Sequence, residues 1–164
     1  MRESSLFNAF IHNLKRYQTW LIIVVAVIVS IFYNVISPIV FSLFSETEIK
    51  TEGLEGLTPE LTFIIVAVLG PIVETFLFQF LVIEIIKIFF KNSQFLPLAI
   101  SAGLFAYAHS YSDVYIVFAL IPGFILALSY ILFKAKGNNA FFFVFVIHAL
   151  VNTFSFIFNH YIQN

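Results

Sequence analysis

Five apolar stretches follow one another at about residues 19–44, 61–90, 95–110, 115–133 and 140–158, separated by short polar connections. Most approach the roughly 20 residues that a bilayer-crossing helix requires. The pattern therefore predicts an all-α, polytopic membrane helical bundle of about five transmembrane helices. Ahead of the first stretch, Leu6, Phe7, Phe10, Ile11 and Leu14 recur at helical spacing before Lys15 and Arg16, which predicts a short interfacial helix. The apolar run continues past Leu21 to Phe44 without a small-residue cleavage site, so it reads as a retained first helix and not as a signal peptide. Helix breakers stand at Ser37-Pro38, Gly70-Pro71 and Pro122-Gly123, and backbone groups freed there need partners inside the protein. The second stretch is too long for an untilted span, which predicts either a break at Gly70-Pro71 or an extension towards Lys91. The organisation expected is an N-terminal segment over 1–18, a first transmembrane helix over 19–44 and a core over 60–158, without an internal repeat.

Composition strengthens this picture. At 61% hydrophobic and 10% charged residues, the chain has more apolar surface than one water-soluble core of 164 residues can bury. The net charge of −1 hides a segregation of sign. If all five stretches cross, Arg2, Lys15, Arg16, Lys87, Lys91, Lys134 and Lys136 share one side and Lys50 stands alone on the other. Basic residues favour the cytoplasmic face. The expected protein is thus integral to the cell membrane, with a cytoplasmic N-terminus. The loop carrying Glu46, Glu48, Glu52 and Glu55 and the C-terminal His160–Asn164 are expected outside. No basic patch suits nucleic acid. The absence of cysteine excludes disulfides, thiolate nucleophiles, iron–sulfur clusters and cysteine-held zinc.

Ionisable groups at membrane depth cost about 2.5–3.5 kcal/mol each on insertion scales, so each needs a partner or a task. Glu74 lies 14 residues past Glu60, His109 lies 14 past Phe95, and His148 lies 8 past Ala140. At about 1.5 Å per residue these offsets place Glu74 and His148 at similar depth and His109 roughly 9–12 Å away. The third stretch must tilt or start deeper if all three are to meet. His148 and Asn152 are four apart and share a helix face, as do Phe105 and His109, which would set an aromatic wall one turn below the imidazole. A single intramembrane His or Asn ordinarily serves as interhelical hydrogen-bond glue. A carboxylate and two imidazoles on three helices suit metal binding or water activation instead. Glu84, three residues before Lys87, is expected to pair there or to snorkel. His12 and His160 lie outside the spans, and Tyr111 and Asp113 read as loop residues at an entrance.

The run GPIVETFLFQ (Gly70–Gln79), then FAYAH (Phe105–His109), then HALVN (His148–Asn152) resembles the CPBP intramembrane proteases, relatives of the type II CAAX prenyl endopeptidases. Their motifs are Glu-Glu-x-x-x-Arg, Phe-x-x-x-His and His-x-x-x-Asn/Asp, each on a helix. Order and spacing agree over about 60–158, and Ile121–Phe133 looks like the intervening helix with its glycine. The resemblance implies a four-helix catalytic core, with Glu74, His109, His148 and Asn152 as catalytic residues. Thr75 and Gln79 depart from the pattern, standing where the second Glu and the Arg are usual. The two charges are lost together, and a Thr75–Gln79 hydrogen bond is expected in place of an ion pair. With Phe105, these two positions are assigned to substrate binding.

The resemblance implies hydrolysis of a peptide bond in a membrane-anchored or lipidated substrate, and two mechanisms are open. In one, Glu74 with His109 activates a water while His148 and Asn152 donate to the oxyanion. In the other, Glu74, His109 and His148 hold zinc, which is otherwise not required. Other intramembrane protease signatures are missing from the chain: it has no HExxH, no GxSxG-type serine site and no intramembrane aspartate pair. Proteins that look like this are also associated with bacteriocin immunity. The rival readings are a non-catalytic immunity or scaffold protein, suggested by Thr75 and Gln79, and a proton-relay transporter, which the lack of repeat symmetry disfavours. Besides lipid, the partner expected is a short apolar or lipidated segment entering laterally between helices. No pattern in the sequence specifies an oligomeric state.

Overall fold

The computed structural model describes residues 2–44, 56–110 and 112–161. Glu46, Glu48, Lys50, Glu52, Glu55, Tyr111 and 162–164, to which topological or entrance roles were assigned above, lie outside the described residues. The chain forms α1 (Arg2–Leu14), α2 (Thr19–Ser42), α3 (Pro59–Phe89), α4 (Phe95–Ala108), α5 (Asp113–Ala135) and α6 (Ala140–Tyr161). Among the described residues there is no strand. Helices α2, α3, α5 and α6 are long and apolar enough to cross a membrane. The remaining apolar stretch forms α4, whose 14 residues rise only about 21 Å, short of a hydrocarbon core of about 30 Å.

Local chemistry explains where the helices begin and stop. Thr58 Oγ1 accepts from the backbone N–H of Leu61, with Pro59 in the first turn of α3. Ser93 does the same for Leu96 in α4, Ser112 for Tyr115 in α5 and Asn139 for Phe142 in α6. Each hydroxyl or amide oxygen occupies one of the N–H groups that a helix start leaves unpaired. Gly137, at φ 75°, ends α5 in a left-handed turn from which Asn138 donates back to the Phe133 carbonyl at 3.0 Å.

Helix α5 is the centre of the bundle, with Gly123, Leu126, Ala127, Tyr130, Ile131 and Phe133 all buried. Its closest neighbour approaches at Gly123. A Cβ there would stand 3.0 Å from the Ala102 carbonyl oxygen and 3.0 Å from Cδ1 of Phe105, both on α4. The backbone atom cannot yield, so glycine sets the α4–α5 separation and the position of Phe105.

The basic residues gather at one end. Lys136 Nζ donates to the carbonyls of Lys15 and Tyr17, each at 2.9 Å, and Asn138 donates to Thr19 Oγ1. Helix α1 lies against the same end through Phe7, whose ring meets the edge of Phe95. Lys87 donates to Gln94 at 2.6 Å. Glu84 is paired differently from the local i,i+3 expectation. It accepts from Lys134 Nζ and from the Tyr130 hydroxyl, both at 2.8 Å, because these two residues project from one face of α5 towards it.

No break occurs at Gly70-Pro71. Helix α3 runs for 31 residues and accommodates the proline by widening into π-helical turns at Ile65–Leu69 and Thr75–Leu81. A π turn bonds N–H(i) to the carbonyl at i−5, so the missing N–H of Pro71 leaves the Val66 carbonyl unpaired, and the Asn152 side chain donates to it at 3.0 Å. In α5 the missing N–H of Pro122 frees the Phe118 carbonyl, to which the Tyr33 hydroxyl donates at 2.7 Å. In the second π segment the Phe78 carbonyl accepts from Ser101 at 2.8 Å. Neighbouring helices thus satisfy what the breakers expose.

Two outcomes follow for the detergent-solubilised protein. Gly123→Val must push α4 off α5, and overpacking of this kind costs about 1–3 kcal/mol, which thermal unfolding will register as a lowered midpoint. Tyr130→Phe removes one donor from a part-buried charge-assisted hydrogen bond and lowers stability by about 1 kcal/mol. An unchanged midpoint would show that Lys134 alone satisfies Glu84.

Candidate active site

The site is assembled from three helix positions with different local geometry. Glu74 lies on the short α-helical stretch Gly70–Glu74 between the two π segments of α3. His148 lies mid-way along α6 and is buried. His109 is the C-cap of α4, with φ −101° and ψ 39°, so it has already left the helix. Its Nδ1 lies 2.7 Å from the Phe105 carbonyl, one of the last-turn carbonyls that a helix end leaves open. The imidazole therefore caps its own helix, which fixes the ring.

The three groups converge. Glu74 Oε2 lies 3.6 Å from His109 Nε2 and 3.5 Å from His148 Nε2. The roughly 9 Å offset counted along the helices is absorbed by the shortness and placement of α4. Phe105 packs between the rings, 4.4 Å from His109 and 5.9 Å from His148 between centroids. It is buried and also meets the ring of Phe78 edge-on.

The hydrogen bonds sort the two histidines into different roles. A carbonyl only accepts, so His109 Nδ1 carries a hydrogen and the neutral ring turns an unprotonated Nε2 towards Glu74. His148 Nδ1 is buried without a partner among the described residues. An orphaned N–H is the rarer and costlier condition, so the His148 hydrogen belongs on Nε2, facing the carboxylate. Glu74 and His109 together form an acceptor pair, and His148 is a donor. Separations of 3.5–3.6 Å exceed the 2.7–2.9 Å typical of a direct charge-assisted hydrogen bond, which suits a water that shares these atoms from the cavity side.

That cavity measures about 420 Å³. Glu74, Phe105, His109, His148 and Asn152 line it, and it extends along the bundle to Phe41, Tyr115 and Asn159. Asn152 spends one amide hydrogen on Val66 and retains another. Thr75 and Gln79 do not reach the cavity. Both are 0% exposed, and neither Thr75 Oγ1 nor the Gln79 amide has a hydrogen-bond partner among the described residues. The expected Thr75–Gln79 bond is therefore not formed. The α-helical i,i+4 register on which it relied does not hold where the helix runs as π over Thr75–Leu81.

Among the described residues, no group of three or more His, Cys, Asp or Glu side chains is disposed to hold a metal ion. His148 Nδ1 also lacks, among the described residues, the partner that orients a ligating imidazole.

The part of the site missed in the sequence belongs to α2. Ser30, Tyr33, Asn34, Ser37 and Pro38 line the same cavity, and Asn34 donates to Ser155 of α6 at 2.9 Å. Their spacing of three and four was a signal: it draws one polar stripe along an otherwise apolar helix.

Residues 57–154, more than half of the chain, match the family described as type II CAAX prenyl endopeptidase Rce1-like. Neither a curated protein nor a solved structure matches the chain. Four apolar helices and a membrane protease family agree in making it an integral membrane protein. The chain belongs to the Rce1-like family of type II CAAX prenyl endopeptidases, a family of intramembrane proteases.

Proposed function

We propose that this protein hydrolyses a peptide bond of a membrane-anchored or lipidated substrate by a metal-free mechanism. The observation that carries this reading is the single carboxylate oxygen, Glu74 Oε2, set 3.5–3.6 Å from a proton-accepting His109 and a proton-donating His148 at the wall of a cavity. A water lodged against Glu74 and His109 loses its proton to that pair as it attacks the scissile carbonyl. His148 Nε2–H and the second amide hydrogen of Asn152 face the same space and stabilise the oxyanion. The proton then passes from the Glu74–His109 pair to the departing amine. Every group acts by moving or donating a proton at a named atom, and the low-dielectric surroundings strengthen each interaction.

Thr75 and Gln79 sit behind this wall, so substitution of the usual charges leaves the reacting groups in place. Their role is to pack α3 against its neighbours, and substrate contacts fall to the cavity wall itself. The basic end formed by Lys15, Lys87, Lys134 and Lys136 is assigned to the cytoplasmic face.

Cleavage of a library of membrane-anchored peptides by the purified full chain tests the chemistry. Glu74→Gln and His148→Ala are expected to lower kcat by about 10²–10⁴-fold, while a zinc chelator leaves the wild-type rate unchanged. Loss of activity on chelation would replace this mechanism by a metal one, and no cleavage by the folded wild type would leave a non-catalytic membrane protein. Orientation has its own test, since the chain has no cysteine. Asn92→Cys is expected to label only from the cytoplasmic side of sealed vesicles and Gly56→Cys only from the opposite side; the reverse pattern would invert the topology.

A further inference from the structure

An amide bond inside a helix has its carbonyl engaged and its faces covered by side chains, so a protease acting at membrane depth must receive its substrate unwound. Unwinding exposes backbone N–H and C=O groups where no bulk water can pair them. The cavity must therefore offer hydrogen-bond partners besides those that carry out the chemistry.

Helix α2, outside the matched residues 57–154, supplies candidates. Three prolines lie within the long helices, at Pro38, Pro71 and Pro122, and each removes one backbone donor. The carbonyls freed by Pro71 and Pro122 are taken by Asn152 and Tyr33. The third, that of Asn34 four residues before Pro38, loses its helical donor in the same way, and Asn34 lines the cavity. The Asn34 side chain is held by one amide hydrogen on Ser155, and its Oδ1 is a second acceptor. Ser37, on the same wall, brings a hydroxyl.

We propose that Asn34, Ser37 and the carbonyl left open by Pro38 form the substrate-binding strip of the cavity. It recognises an extended, non-helical stretch of a membrane peptide through its backbone. The Asn34 oxygens accept substrate N–H groups and Ser37 donates to a substrate carbonyl, in the manner of strand addition. This deepens the protease reading and rests on it. The strip explains why a proline is tolerated late in a transmembrane helix and why polar residues stand at 34 and 37 beside it.

Pro38→Ala is the informative variant, because it removes no polar side chain from the cavity and restores the N–H that occupies the Asn34 carbonyl. Binding is read by fluorescence anisotropy on the full chain in detergent, in a Glu74→Gln background. The probes are a labelled 20-residue leucine-rich peptide with a central Pro-Gly and its continuous-helix counterpart lacking Pro-Gly. The Pro-Gly peptide is expected to bind more tightly than the helical one. Pro38→Ala should weaken it about tenfold, the equivalent of one hydrogen bond, with thermal stability equal or higher. Ser37→Ala should weaken it in the same direction, and Phe32→Ala, on the exposed face of α2, should leave it unchanged. Equal binding with and without Pro38 overturns the strip, as does failure of the parent to prefer the unwound peptide. Cleavage by the Glu74-intact chain is scored separately. Turnover with KM unaffected by Pro38→Ala removes the strip and keeps the protease, whereas Pro38-dependent binding without turnover removes the protease and keeps the strip.

Discussion

At membrane depth a backbone carbonyl or N–H that leaves its helix has only the protein to turn to, and the architecture of this chain follows from that constraint. Proline and glycine in α3 and α5 do not break the helices. They release carbonyls at Val66 and Phe118, which Asn152 and Tyr33 collect from adjacent helices. Each of these bonds ties two helices together at a fixed height, so the breakers act as points of registration. The Asn152–Val66 bond sits one helical turn from His148 and eight residues before Glu74. It therefore sets the height at which α6 presents its imidazole to the carboxylate of α3.

The same economy explains the arrangement of the reacting groups. Helix α4 is shorter than a span, and its end lies against the helices that carry Glu74 and His148, where unpaired last-turn carbonyls would be costly. His109 covers one of them with Nδ1 and in doing so commits its other nitrogen to Glu74. One ring thus serves the helix end with one nitrogen and approaches the carboxylate with the other. Gly123 completes the geometry from behind. It lets α5 approach the Ala102 carbonyl closely enough to hold Phe105 against both imidazoles.

Much of this was legible in the sequence, and the limits have physical causes. Helix number and approximate bounds followed from apolar runs, because the bilayer enforces a minimum length. The convergence of Glu74, His109 and His148 was suggested by the cost of isolated ionisable groups, although counting residues along ideal helices left His109 too high. Local spacing pointed Glu84 to Lys87, which does act on its charge, but could not show Tyr130 and Lys134, which contact it directly across the bundle. The Thr75–Gln79 bond failed for a related reason: an i,i+4 argument presumes α geometry, and π turns leave no simple mark in residue pattern. The Gly70-Pro71 pair signalled that something irregular would happen there, but not that the helix would widen instead of breaking.

The neutral pair at Thr75 and Gln79 bears on how such a site tolerates change. A buried Glu–Arg pair is costly to break by losing one member, because the survivor remains charged and unpaired. Loss of both leaves only neutral polar groups, whose cost when unsatisfied is about 1–3 kcal/mol each. Thr75 and Gln79 are unpaired and fully enclosed, so the fold bears that smaller penalty. Because the cavity wall includes Glu74 and not Thr75 or Gln79, the penalty falls on the packing of α3 and not on the cavity wall. In this structure the second half of the Gly70–Gln79 motif is enclosed within the bundle, while its first half, through Glu74, reaches the cavity.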